Sequence, residues 1–318
     1  MQVVRSLEAW GAWAAGRDTV ATVGNFDGVH RAHRQLLAAV RQEAEARGAM
    51  AVAVSFEPHP SRILQPATAP PLITPGEERI RQLASTGIAA LLLLPFSRDL
   101  SLWTAREFVQ RVLVERLRAR SVHEGENFRF GHRHAGTVAT LAQLGEEFGF
   151  AVRVHPRVEV RGEVVSSSRI RTLVAAGAVA RARALLGRPF AVRGLVAPGR
   201  GVGRQRTVPT LNLQHYEELL PARGVYCTCV RLGGAWRAAM TNVGVRPTFG
   251  AEGPLTVETH VLHPPEEGLE GGLGEEIEIG FLRRWREERR FDSPEALRVQ
   301  IQADLAFAQR YFAKFGLR

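Results

Sequence analysis

Gly24-Asn25-Phe26-Asp27-Gly28-Val29-His30-Arg31-Ala32-His33 is the stretch from which the fold can be read. Just before it, Thr19–Gly24 is short, apolar and β-branched, the pattern of a buried strand. Just after it, Arg31–Arg47 carries Leu36, Leu37, Val40 and Ala44 at helical spacing. A glycine-punctuated turn between a buried strand and a helix opens a βα unit. In sheets built of such units, ligands bind beyond the carboxyl ends of the strands, where helix N-termini offer free amides. His30 and His33, three residues apart at that terminus, can both reach one phosphate. They would donate hydrogen bonds to oxygens whose charge grows during group transfer.

The same alternation continues outward. Met50–Phe56, Ile88–Leu94, Ser121–Gly125 and Phe150–Val154 read as strands. Between them, Gly76–Ser85, Thr104–Leu117 and Gly136–Glu147 read as helices, with Thr104 and Glu107 at capping-box spacing. Strand–helix alternation predicts the α/β class, a doubly wound parallel sheet with helices on both faces. Two short helices, Arg169–Ala176 and Val179–Leu186, lead to Gly187-Arg188-Pro189, where the pattern changes. From Phe190 to Phe281 the apolar runs are short, rich in Val and Thr, and separated by Gly/Pro clusters. Ala191–Ala197, Gly224–Arg231, Ala235–Val243, Thr256–Leu262 and Glu276–Phe281 predict a small antiparallel β-barrel or sandwich. Ser293–Phe315 follows as a C-terminal helix, with Ser293 as N-cap and Pro294 at its first position. The expected domains are residues 1–187 and 188–318.

Composition narrows the function. With 318 residues, 45% of them hydrophobic and 23% charged, two ordinary globular domains are expected. The longest apolar run, Ile88–Phe96, is about half of what a membrane span needs, and no secretory signal is visible, so a cytoplasmic protein is expected. The net charge is +10, yet Lys314 is the only lysine, which excludes a Walker A loop. Any phosphate must be held by Arg, His, amides or a metal. Arginine is spread along the whole chain with no basic tail or base-reading motif, so nucleic acid is not an expected partner. Asn occurs only at 25, 127, 212 and 242, each inside a Gly-, Arg- or Pro-punctuated segment. Cys227 and Cys229 alternate on one strand, as small core residues in a reducing compartment would.

The stretch from Gly24 to His33 resembles the Gly-x-Phe-Asp-Gly-x-His-x-Gly-His pattern of bacterial bifunctional riboflavin kinase/FAD synthetases, with Ala32 where the family has glycine. Gly125-Glu126-Asn127-Phe128-Arg129-Phe130-Gly131 is similar to a family run that lines the flavin and nucleotide site. Val165-Ser166-Ser167-Ser168-Arg169-Ile170-Arg171 is similar to its Ser-Ser-Thr-x-Ile-Arg motif. Pro209-Thr210-Leu211-Asn212 resembles the Pro-Thr-Ala-Asn motif of the kinase half, and Val257-Glu258-Thr259-His260 its Val-Glu-x-His. Asn242 to Phe249 is close to Asn-Ile-Gly-x-Arg-Pro-Thr-Phe, expected to be a turn that supports the site. The match departs at Leu211, Arg206-Thr207, His263-Pro264 and Leu273.

The resemblance implies FAD synthesis in a Rossmann-like nucleotidyltransferase domain and riboflavin phosphorylation in the barrel domain. ATP would be co-substrate and riboflavin and FMN the flavin partners, with FMN and FAD as products. It further implies His30, His33, Arg171 and Glu258 as catalytic residues. Gly24, Asn25, Phe26, Asp27, Gly28, Asn127, Phe128, Ser167, Ser168 and Arg169 would bind nucleotide and flavin. The loop residues Gly199, Gly201, Gly203 and Arg204 would approach phosphates, while Thr210 and Asn212 would ligate Mg2+. A narrower alternative is an FMN adenylyltransferase with a degenerate kinase module.

Overall fold

The structure is a computed structural model that describes residues 1–197, 210–214, 219–245, 255–264, 274–289 and 291–314. The chain divides into two units, Met1–Ser166 and Ser167–Arg318.

The first unit begins with β1 (Gln2–Val4), α1 (Leu7–Ala14), β2 (Thr19–Val23), α2 (Arg31–Arg47) and β3 (Met50–Glu57). Next come α3 (Pro60–Leu64), α4 (Gly76–Ala84), β4 (Ala90–Pro95), α5 (Arg98–Ser101) and α6 (Ala105–Phe108). The unit finishes with β5 (Ala119–Gly125), a small β6–β7 ribbon (Arg129–Phe130, Gly136–Thr137), α7 (Val138–Phe148), β8 (Ala151–His155) and a β9–β10 ribbon (Glu159–Val160, Glu163–Val164). The main sheet has the order β1-β4-β3-β2-β5-β8 and is parallel throughout.

Its central strands β2, β3 and β4 are buried on both faces. Val20, Ala51, Ala53, Leu91 and Leu93 pack with Leu37, Val40, Ile80 and Leu83 of α2 and α4. Their strand neighbours Ala21, Val23, Val52, Val54 and Leu92 pack with Trp10, Phe108, Leu141 and Leu144 of α1, α6 and α7. Each fully buried Leu or Phe contributes roughly 1.5–3 kcal/mol over its exposed state. That two-sided burial holds the carboxyl ends of β2 and β5 side by side.

Most predicted elements lie where expected, and α2 has the expected bounds. Thr104 and Glu107 do form the capping box, although the helix they begin continues as a π-helical stretch over Val109–Val114. Several short elements are additional, among them β1, which pairs with β4 at the sheet edge, and α1, capped by Ser6. A three-residue strand has no periodicity to detect.

The second unit comprises α8 (Ser167–Ala175), α9 (Val179–Leu186), β11 (Phe190–Ala197), β12 (Leu211–Gln214), β13 (Gly224–Leu232), β14 (Ala235–Val245), β15 (Leu255–Val261), β16 (Glu276–Arg286) and α10 (Pro294–Ala313). The six strands close into a barrel in the order β11-β12-β15-β14-β13-β16, which decides between barrel and sandwich. The barrel contains β12, a strand that the sequence pattern did not reveal. The two short helices α8 and α9 fall in this unit, and α9 contacts β11 and β16.

Inside the barrel, Val, Ile and Phe side chains surround a chain of threonine hydroxyls. Thr228 Oγ1 lies 2.8 Å from Thr241 Oγ1, which lies 2.9 Å from Thr259 Oγ1. All three residues are fully buried, and the mutual bonding satisfies groups that apolar surroundings would penalise. On the outer face, Ala308 and Phe312 of α10 pack on Val225, Cys227, Met240 and Leu282. Ser293 caps α10 and Pro294 begins it, as predicted. Both cysteines are free, and burial pushes their thiols up to about 12 at Cys227 and about 11 at Cys229. Neither is a thiolate nucleophile at neutral pH.

Candidate active sites

In the first unit the order of the strands reverses between β2 and β5, the place where open α/β sheets bind ligands. The paired residues of β2 and β5 end at Ala21 and Val122. Beyond that point Val23 N–H donates instead to the Glu124 carboxyl, at 2.7 Å. Burial pushes Glu124 well above the ordinary carboxylate range, against the opposing pull of the Val23 N–H.

The loop after β2 is held in an unusual shape. Gly24 N–H donates to Val54 O, and the ring of Phe26 lies over Gly24, where a Cβ would be 3.2 Å from Cζ. Phe26 and Val29 both adopt left-handed backbone, with φ of 50° and 36°. For a β-branched residue such as Val29 that conformation costs of order 1–3 kcal/mol, the kind of strain that clusters at binding sites. Two buried ionic groups brace it. The Asp27 carboxylate accepts from Ile73 N–H at 3.0 Å and Thr74 N–H at 2.9 Å. Arg79, on α4, donates to Asn25 O at 3.1 Å, Phe56 O at 3.0 Å and Glu57 Oε2 at 3.1 Å. Asp27 was expected to bind nucleotide; its carboxylate holds backbone from the 73–74 segment.

The brace delivers His30 to the N-cap of α2. Its Nδ1 accepts from His33 N–H at 3.3 Å, which leaves Nε2 to carry the proton in the neutral ring. The His30 and His33 rings stack with centroids 3.6 Å apart, and Phe26 meets His33 edge-on at 5.2 Å. Burial and the adjacent His30 hold His33 well below the usual histidine range. Its Nδ1 is shielded from solvent and has no hydrogen-bond partner among the described residues. Hydrogen-bond donors at a helix N-terminus suit an anion that must be gripped without a proton being taken from it.

Asn127 is exposed in the turn after β5, while Phe128 stacks on Phe130 at 5.2 Å. Ser167, Ser168, Arg169 and Arg171 open α8, the first element of the second unit. Ser168 is exposed and the other three are partly buried.

The barrel presents a different arrangement. Asn212 on β12 pairs in register with Glu258 on β15, which pairs with Asn242 on β14. Residues opposite one another on neighbouring strands share a face, with Cβ atoms about 4.5–5.5 Å apart. The row continues through Val225 on β13 to Arg286 on β16. There the guanidinium is fixed by Asp304 of α10, at 2.6 Å from Nη2 and 3.0 Å from Nε. Glu258 is exposed, and Asn212 and Asn242 are half-buried. Thr210 is exposed immediately before β12. Gly199, Gly201, Gly203 and Arg204 lie outside the described residues, as do Arg206-Thr207 and Leu273. Asn242 to Val245, expected to begin a supporting turn, is instead the end of β14.

A family model for FAD synthetase matches residues 13–169, and one for riboflavin kinase matches residues 186–312. The chain belongs to the bifunctional riboflavin kinase/FAD synthetase family. It is 37% identical over 313 residues to the bifunctional riboflavin kinase/FMN adenylyltransferase of Pseudomonas fluorescens, with 97% of each chain covered. It is 33% identical to the enzyme of the same description from Escherichia coli K12, with 92% of each covered. A solved structure from Streptococcus pneumoniae, described as a macrolide-efflux protein, superimposes with a TM-score of 0.85 at 29% identity. That match covers 97% of this chain and 99% of the other. No helix among the described residues is long and apolar enough to cross a membrane.

The FAD synthetase part thus contains the stacked histidines, and the riboflavin kinase part contains the Asn212–Glu258–Asn242 row. Motif reading missed Arg79 and Glu124. Both are charged residues inside otherwise apolar or helical runs, and that placement was the only available signal.

Proposed function

We propose that the chain phosphorylates riboflavin to FMN in its second unit and adenylylates FMN to FAD in its first. The observation that carries this reading is a chemical contrast between the two sites. One presents hydrogen-bond donors at the N-terminus of α2, and the other displays a carboxylate between two amides.

In the kinase, Glu258 takes the proton of the riboflavin 5′-hydroxyl as that oxygen bonds to the γ-phosphorus of ATP. The bond from γ-phosphorus to the bridging oxygen breaks and ADP leaves. Thr210 and Asn212 would hold Mg2+, for which a hydroxyl and an amide carbonyl are suitable hard donors. When bound, the metal neutralises phosphate charge. Positioning supplies most of the remaining acceleration.

In the adenylyltransferase, an oxygen of the FMN phosphate bonds to the α-phosphorus of a second ATP, and pyrophosphate leaves. The nucleophile is already ionised at neutral pH, so no base is required. His30 donates from Nε2 to the α-phosphate, with His33 stacked behind it. Asn25, Asn127 and Phe128 contact nucleotide and flavin. Riboflavin, FMN and ATP are the partners, without nucleic acid or a membrane, and the cytoplasm is the compartment.

Isotope routing tests the scheme. Supplied with riboflavin, the protein should place the γ-phosphate of ATP in FMN; supplied with FMN, it should place the α-phosphate in FAD and release pyrophosphate. FAD labelled from supplied FMN while riboflavin stays unphosphorylated would leave only the adenylyltransferase. No label in either flavin would overturn both assignments.

A further inference from the structure

Arg79 is 2% exposed on α4, and among the described residues its guanidinium bonds only to the end of β3 and to the loop after β2. Nη2 donates to Phe56 O and Glu57 Oε2, and Nη1 donates to Asn25 O at 3.1 Å. Nε is buried without a partner among the described residues, a costly state for a charged group. Asn25 O also accepts from Ser55 Oγ on β3, at 3.4 Å. That carbonyl is thus held toward β3. In a trans peptide the carbonyl and the following N–H point in opposite directions. The sheet order is β3-β2-β5, so the Phe26 N–H is turned away from β3, toward the crevice between β2 and β5. Phe26 is 1% exposed, and among the described residues nothing accepts its N–H. Buried amides are almost always paired, so this one marks a place for an acceptor from outside the chain.

The backbone at Phe26 shows what the Arg79 bond opposes. Its φ of 50° is left-handed, a conformation that bulky residues avoid. Turning the Asn25–Phe26 peptide plane over by about 180° would give Phe26 an ordinary negative φ. It would also point the N–H at β3 and the carbonyl at the crevice, where a phosphate would meet an acceptor instead of a donor. We propose that Arg79 is a positioning residue of the adenylyltransferase centre, holding this peptide in its strained orientation so that the Phe26 N–H donates to the α-phosphate of ATP beside His30. This rests on the adenylyltransferase reading above. A donor fixed before the reaction stabilises charge that grows on the α-phosphate oxygens as pyrophosphate leaves. Arg79 therefore acts on the rate more than on nucleotide affinity.

The experiment uses the full chain with FMN and Mg·ATP, and with the two diastereomers of ATP that carry sulfur on the α-phosphate. Arg79→Lys keeps the charge beside Glu57, but an ammonium lacks the planar fork that reaches two carbonyls. Its kcat for FAD formation should fall roughly tenfold, with the KM for ATP changed less than about threefold. Sulfur is a weak acceptor, so in the wild type the diastereomer that places sulfur at the Phe26 N–H should be the slower one. The ratio of the two rates should shrink severalfold in the variant. Ser55→Ala removes the longer bond to the same carbonyl from a small buried side chain, and should show the same pattern at about twofold. It decides the matter if Arg79→Lys does not fold, an unchanged ratio again overturning the role. A wild-type chain that makes no FAD from FMN would defeat the adenylyltransferase reading itself. With an active wild type, an unchanged kcat in Arg79→Lys would overturn the role of Arg79. So would a fall in kcat with the diastereomer ratio unmoved, which is what a loosened loop alone would give.

Discussion

The crevice of the FAD synthetase part and the outer face of the kinase barrel handle charge in opposite ways. In the first, the histidines lie beyond the end of a buried strand, one stacked on the other, and burial pushes Glu124 well above the ordinary carboxylate range. In the second, Glu258 stands exposed between two amides set by strand register. The difference matches the nucleophiles proposed for each. A phosphate arrives ionised and requires donors that stay neutral until its partner's charge grows. A hydroxyl arrives protonated and requires a base in contact with water and substrate.

The comparison breaks first at Glu258. Glu258→Gln removes the base and keeps the shape, so riboflavin phosphorylation should fall by about 10²–10⁴. FAD formation from supplied FMN should be unchanged, as product chromatography would report. His30→Ala should give the converse, with FAD formation down by roughly 10²–10³ through loss of a transition-state donor. FMN should then accumulate from riboflavin. Equal losses of both activities in either variant would mean that the two sites are not separate.

The next effect is on stability. Asp27→Asn exchanges a carboxylate acceptor for an amide against two backbone donors, which should cost about 1.5–3 kcal/mol. Denaturant melts should show this in the first unit's transition, with the KM for ATP rising as the loop loosens. The smallest effect is the pH dependence at Glu124. Its folded pKa lies above the unfolded value, so the native state holds a proton that the unfolded state releases. Stability attributable to it is therefore present below the unfolded pKa near 4.5 and is lost as pH rises toward the folded value. Glu124→Gln keeps an oxygen for Val23 N–H and has no proton to lose. Its melting temperature relative to wild type should rise as the pH is raised from about 5 to about 8.

Much of this was legible because local pattern and global fold agree at the βα unit. Leu37, Val40 and Ala44 have helical spacing and are the buried face of α2. Ser293-Pro294 begins α10 for local reasons alone, a side-chain cap and a preset φ. The remainder depends on distant partners. Arg79 reaches Asn25 O across 54 positions, and nothing on α4 advertises it. Asn242 meets Glu258 only through strand register, and β12 is four residues whose pairing to both β11 and β15 no periodicity reveals. The helices α8 and α9 have apolar faces that would suit either core. Glu124 and His33 are in states set by burial, which a sequence does not display.

The hydroxyl chain inside the barrel has a consequence for how faithfully the kinase can assemble. Moving β15 by one residue along β14 would turn Thr259 outward and leave Thr241 with one hydroxyl contact fewer in a dry interior. The same slip would send Glu258 into the apolar centre. Three small side chains therefore act as an alignment gauge, penalising every misthreaded closure in which the reactive carboxylate would be hidden.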